Sequence, residues 1–415
     1  MVLPTVTSGR LWSNVGVRQP HLASRLQGFG TTIFAEMSAL ATATGSINLG
    51  QGFPDTDGPA EMAAIAAADI VGGRGNQYPP GPGIAPLRQA IAEHQRRYYG
   101  LTPDPDTEVL VTAGATEAIA ASLLALLETG DEVVALEPFY DSYAACIAMA
   151  GAIRRPVTLR PPSFALDLDA LRHAITARTR VLLLNTPHNP TGTVLRREEL
   201  AAIAELAIEH DLIVVADEVY EHLTYDGIPH VPIATLPGMW ERTVTIGSAG
   251  KTFSFTGWKV GWVTAPAALV SAVRTVKQFL TYVSAGPLQA AVAHGLRLGE
   301  DYFAGFRADL EAKRDRLCAG LAAAGFEVFR PAGTYFVTTD VRPFGTDDGM
   351  AFCRSLPERC GVVAIPNVVF YDDVRAGRSL VRFAFCKKPE VLDEAVARLT
   401  GLQAVGMPDA ARVGS

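Results

Sequence analysis

From about residue 108 the chain alternates short apolar runs with longer stretches of helical period. Residues 108–112, 132–136, 180–185, 212–216 and 243–246 are apolar and rich in β-branched side chains. Runs of that length and composition suit strands covered on both faces. Residues 115–127, 141–150 and 196–210 between them carry helical patterns. The alternation predicts an α/β fold, a mostly parallel sheet with helices on both faces. After about residue 300 the pattern changes. A long charged helix over 301–324 precedes strand patterns at 326–329, 335–340 and 380–385, which predicts a smaller α+β domain. The short segment before residue 60 is expected to pack against it. The expected division is a flexible arm over 1–20, a small domain from 21–59 and 301–405, and a large domain over 60–300. Pro/Gly clusters at 78–83 and 160–163 mark loops, and the tail from about 406 is expected to fray.

Composition narrows the function classes. The 415 residues are 48% apolar and 19% charged, enough for two domains with a large buried core. A net charge of −7 argues against nucleic acid or an anionic membrane as the main partner. No stretch is apolar enough to span a bilayer, and residues 1–20 lack the pattern of a secretory signal. Cys146, Cys318, Cys353, Cys360 and Cys386 are dispersed, with no C-x-x-C pair. They read as reduced buried thiols in a cytoplasmic protein, with no metal site.

The chemistry centres on Gly247-Ser-Ala-Gly-Lys251-Thr252, which follows a predicted strand. Its Gly-Lys-Thr ending invites a nucleotide-binding loop. Such a loop needs a glycine at position 245, where Thr245 stands. A solvated surface lysine fits poorly with the small, apolar surroundings. Three other places bear on it: Asn185-Thr-Pro-His-Asn189-Pro-Thr-Gly192 after one strand, Asp217-Glu-Val-Tyr220 after the next, and Val381-Arg382-Phe383 in the smaller domain. Singly, these read as turn chemistry, a helix cap and a surface ion pair.

Their order and spacing resemble the class I/II aminotransferases, pyridoxal phosphate (PLP) enzymes of fold type I. The resemblance runs from Leu49-Gly-Gln-Gly-Phe-Pro54 to Arg382 and includes Asn76-Gln-Tyr78, Glu137-Pro-Phe-Tyr140, Ser248 to Lys251 and Gly257-Trp-Lys259. It is closest to the branch of kynurenine/glutamine aminotransferases, cysteine-conjugate β-lyases and N-succinyldiaminopimelate aminotransferases. Phe34-Ala-Glu-Met37 and Tyr78-Pro-Pro-Gly-Pro-Gly83 look like the succinyldiaminopimelate enzymes. Gly238-Met-Trp-Glu-Arg242 looks like the kynurenine/glutamine enzymes.

The resemblance implies the aspartate aminotransferase-like fold, with PLP in the large domain. It implies that Lys251 holds the cofactor and moves the substrate's α-proton. Asp217 would keep the ring nitrogen protonated. Tyr220, one turn on if the segment is helical, would share the ring oxygen with Asn189. Gly114, Ala115 and Thr116 open a helix suited to the phosphate, joined by Ser248 and Lys259. Tyr140 would lie on the ring face. Tyr78 would reach the phosphate of a neighbouring subunit, which implies a homodimer with shared sites. Arg382 would clamp the substrate α-carboxylate, helped by the backbone at Gly50. Phe34 and Tyr282 resemble the aromatic side of the substrate pocket, and Lys277 and Arg25 are candidates for a distal carboxylate. Trp258, Trp262 and His222 read as packing residues, and His188 as remote from the cofactor. The implied partners are an amino acid and a 2-oxo acid. A β-lyase using the same residues is the alternative, and a non-enzymatic scaffold is disfavoured by the intact set.

Overall fold

The computed structural model describes residues 21–30 and 32–402; the arm expected over 1–20 and the tail from 406 lie outside the described residues. Seven strands build the main sheet: β1 Val109–Thr112, β2 Glu132–Glu137, β3 Ile153–Thr158, β4 Thr179–Asn185, β5 Ile213–Asp217, β6 Thr243–Ser248 and β7 Gly261–Thr264. Their order is β1-β7-β6-β5-β4-β2-β3. The pairs from β6 to β3 are parallel, and β7 runs antiparallel to both β1 and β6. The chain turns back from β6 to β7 through residues 249–260 without a covering crossover, so β7 reverses direction.

Alternate strand residues feed two separate cores, as a period of two requires. Val133, Ala135, Val181, Leu183 and Val215 pack in one core with Ile119 of helix α1 (Gly114–Leu126) and Ile147 of α2 (Asp141–Met149). Val134, Leu136, Leu182, Leu184 and Val214 pack in the other with Leu200 and Ile203 of α3 (Arg197–Glu209). Helices therefore cover both faces, as the alternation predicts.

Two strands of the main sheet fall outside the predicted set. β3 is an edge strand with Ile153 exposed and two arginines, so it lacks an apolar run. β7 is four residues long and begins with glycine.

The second sheet has β8 Glu327–Phe329, β9 Phe336–Asp340, β10 Ile365–Pro366 and β11 Leu380–Ala384, in the antiparallel order β10-β11-β9-β8. Helix α4, Glu300–Ala323, precedes it. Ile47–Asn48 pairs in parallel with Val362–Val363, which brings the segment before residue 60 beside the second sheet. The candidate residues gather at the carboxyl ends of the parallel strands. Asn185 and Asp217 end β4 and β5 in register with each other, and Ser248 ends β6. That edge is where ligands bind in open α/β sheets.

Candidate active site

A cavity of about 370 Å³ opens at this edge. Lys251 reaches it from the helical turn Ala249–Thr252 that directly follows β6. Its Nζ donates to the Tyr335 hydroxyl at 2.9 Å, and that hydroxyl donates to the Gly52 carbonyl at 2.6 Å. Burial pulls the lysine down to about 8, against the opposing effect of Cys386 and Asp217. The amine thus loses its proton far nearer neutrality than an ordinary lysine.

Asp217 also lines the cavity and is buried. Its carboxylate accepts from the Tyr143 hydroxyl at 2.5 Å and from the Val219 amide at 3.3 Å. Burial raises it to about 6, while those two hydrogen bonds and Lys251 work to lower it. A cation placed against this carboxylate would hold it ionised. The backbone after Asp217 is a turn and not a helix, a correction to the one-turn spacing envisaged for Tyr220. Tyr220 still lines the same cavity, with its ring edge-on to Tyr335 at 5.3 Å. Asn185 fixes the neighbouring loop. Its Nδ2 donates to the Asp217 carbonyl at 2.9 Å, and its Oδ1 accepts the Asn189 amide at 2.8 Å.

The start of α1 forms another wall, with Gly114, Ala115, Thr116, Ser248, Thr256 and Lys259. Gly114 sits at φ +71, and a Cβ there would come within 3.3 Å of Lys259 Cε and Nζ. A side chain would therefore crowd the cation. Lys259 Nζ donates to Thr116 Oγ1 at 3.3 Å. Free helix amides, hydroxyls and one ammonium make this wall fit for a phosphate. Tyr140 lines the cavity at the head of α2.

Arg382 projects from β11 and is 1% exposed. Its Nη1 donates to Asn189 Oδ1 at 2.9 Å and its Nη2 to the Gly50 carbonyl at 3.1 Å, while Nε has no partner among the described residues. The guanidinium lies 3.9 Å from the Phe336 ring centroid, with Phe34 at 5.3 Å and Phe370 at 5.2 Å. Burial lowers it to about 10, so it stays charged at neutral pH. A planar cation with spare donors at an apolar wall is suited to a carboxylate.

Other residues named from the sequence lie outside this cavity. Tyr78 is 80% exposed and Tyr282 54% exposed; they touch each other at 5.5 Å and do not line this cavity. Lys277 is not at the cavity either, because its Nζ is buried and donates to the Tyr282 carbonyl at 2.9 Å. Arg25 is exposed on a short helical turn. Trp262 packs against Gly247, and Trp258 stacks on Phe255 at 3.9 Å. His188 is buried against Thr191, away from the cavity. His222 is buried against His94, with Nε2 atoms 3.0 Å apart, beside Glu221. Tyr143, Tyr335 and Phe336 complete the site without a signal of their own in the sequence, and Gln51 joins them from the Leu49–Pro54 motif. Tyr335 and Phe336 open a predicted strand and Tyr143 sits in a predicted helix, so their pattern signals packing alone.

The family model "Aminotransferase class I and II" matches residues 44–399. The Mycobacterium tuberculosis protein named "Probable N-succinyldiaminopimelate aminotransferase DapC" is 55% identical over 389 residues, 91% of this chain and 98% of that protein. Methionine aminotransferase of Escherichia coli is 41% identical over 379 residues, with 91% and 98% covered. The solved structure of N-succinyldiaminopimelate aminotransferase from Mycobacterium tuberculosis matches with TM-score 0.90 at 56% identity, covering 92% of this chain and 100% of that one. These relatives are named for amino transfer, and the β-lyase alternative is not favoured. The family and its fold are PLP-dependent. With the family model spanning most of the chain and the relatives matched nearly end to end, this chain belongs to the class I and II aminotransferases and is a transaminase.

Proposed function

We propose that this transaminase holds pyridoxal 5'-phosphate on Lys251 and moves an amino group from an L-amino acid to a 2-oxo acid such as 2-oxoglutarate. The observation that carries this is one cavity lined by Lys251, Asp217, Lys259 and Arg382. The residues fit the group. The buried amine near neutrality suits its aldehyde, the buried Asp217 carboxylate suits a protonated ring nitrogen, and the Gly114–Thr116 wall suits its phosphate. When bound, the cofactor supplies an electron sink for the substrate's α-carbon.

The chain's own residues do the rest. Arg382 binds the α-carboxylate and so turns the α-hydrogen toward Lys251. Lys251, once free, takes and returns that proton. Asn189 and Tyr220 would hold the ring oxygen of the cofactor and Tyr140 its ring face, and Phe34 and Phe336 keep water from the Arg382 guanidinium. The domain division at residues 60 and 300 belongs to the same proposal, as does a cytoplasmic location, which the five free cysteines suit. No helix among the described residues is long and apolar enough to cross a membrane. Tyr78 and Tyr282, exposed together, suit a surface shared with a second copy in a homodimer.

For the donor we propose N-succinyldiaminopimelate, from the identity to the Mycobacterium tuberculosis relative. A donor panel including methionine and kynurenine tests that choice by the first half-reaction. The cofactor proposal is tested by borohydride. The visible imine band should bleach and leave the label on Lys251, and Lys251→Ala should lose both band and turnover. Normal turnover by Lys251→Ala would sink the proposal.

A further inference from the structure

The loop Gly50–Phe53 borders the cavity and is held through its carbonyls. Arg382 donates to the Gly50 carbonyl at 3.1 Å, Tyr335 to the Gly52 carbonyl at 2.6 Å, and Lys387 to the Phe53 carbonyl at 2.7 Å. All three donors are buried and come from the second sheet or its immediate end. The middle one differs from the others. The Tyr335 hydroxyl gives its proton to Gly52 and so turns a lone pair to Lys251, whose Nζ donates to it at 2.9 Å. Tyr335 is 1% exposed and stands behind the cavity wall, not in it. Its ring is clamped edge-on between Tyr220 at 5.3 Å and Phe336 at 4.8 Å, which removes freedom from the hydroxyl. A Cβ on Gly52 would meet Phe336 Cζ at 2.3 Å and Tyr335 Cε2 at 3.2 Å, so the loop backbone lies directly on this pair.

We propose that Tyr335 is a positioning residue: it holds the free amine of Lys251 for proton transfer and couples the state of that lysine to the substrate loop Gly50–Phe53. This rests on the proposed role of Lys251. Committed to the cofactor, the Lys251 nitrogen would no longer donate to Tyr335, and once free it would donate as it does in this structure. Hydrogen bonds in a chain strengthen one another, so the returning lysine tightens the Tyr335–Gly52 bond. The loop that borders the substrate is then firmest when the lysine acts as a base.

The test uses the cofactor-loaded enzyme with Tyr335→Phe, which keeps the ring packing. Borohydride reduction followed by peptide mapping first locates the cofactor; a label on any lysine other than Lys251 defeats the underlying reading and not this one alone. With the label on Lys251 at wild-type stoichiometry, the single-turnover rate with an amino donor should fall about tenfold, the worth of one such hydrogen bond. The isotope effect with α-deuterated donor should rise, because proton transfer by the lysine has become slower. An unchanged rate, or a lower rate with an unchanged isotope effect, overturns the proposal. A second measurement needs no variant to fold. Amide exchange over residues 50–53 of the wild type should be slower with the cofactor in its amine form, where Lys251 is free, than in its aldehyde form. Equal exchange in the two forms overturns the coupling.

Discussion

Replacing Arg382 with lysine keeps the charge and removes the fork. In the structure the two terminal nitrogens bond separately, one to Asn189 and one to Gly50, while the face of the group lies 3.9 Å from Phe336. A lysine offers one nitrogen in place of that planar pair. At least one charge-assisted bond to the substrate carboxylate is lost, worth about 1.5–3 kcal/mol, or roughly 10- to 150-fold in kcat/KM. The assay is the first half-reaction, followed by the loss of the imine band, with an amino acid and with the amine that lacks its carboxylate. The loss should appear with the amino acid and shrink to within about threefold with the amine, since that substrate has nothing for the fork to hold. Cofactor content shows that the variant has folded. An equal loss with both substrates would refute the assignment, because it would make Arg382 a support of the fold and not a carboxylate clamp.

Three more outcomes follow from the site. Cofactor recapture by the cofactor-free protein needs a neutral amine, so its rate should climb through about pH 8, as stopped-flow absorbance will show, and not through the ordinary lysine range. Asp217 in the cofactor-free fold titrates near 6, above its unfolded value. The folded state therefore keeps a proton that the unfolded state has lost, and stability falls as pH rises from about 4 to 6. Asp217→Asn should flatten that slope in denaturant melts, gaining on the order of 1–3 kcal/mol above pH 6, while activity with cofactor is lost. Gly52→Ala pushes a methyl into Phe336 beside Arg382. It should raise KM for the amino donor several-fold and cost about 1–3 kcal/mol of stability, read as a lower melting temperature, and an unchanged KM would count against the loop's role.

Much of the fold is written in local pattern. The apolar runs at β2, β4, β5 and β6 and the helices α1 to α3 are visible because each buried strand face and helix stripe must be apolar where it stands. β3 is missing from that pattern because it is an edge, with arginines where a central strand has valines. The motif residues Lys251, Asp217, Asn189, Lys259 and Arg382 are legible as a set of spaced residue types, and the structure brings them to one cavity. Lys277 shows the limit of such reading: it is near the right region of the chain, but its buried Nζ is taken by the Tyr282 carbonyl.

The sequence by itself determined the buried central strands, the helices between them and which residue types stand at the strand ends, since those follow from periodicity and from neighbours a few positions away. Tertiary structure alone decided how the groups are tuned. Lys251 meets Tyr335 across 84 residues, Tyr143 meets Asp217 across 74, and Arg382 meets Asn189 across 193. The first and last depend on the second sheet packing against the edge of the first, and the Tyr143–Asp217 contact on α2 covering the main sheet. The shifts of Lys251 down to about 8 and Asp217 up to about 6 come mainly from burial among such distant neighbours. Desolvation belongs to the packed whole and to no stretch of residues within it.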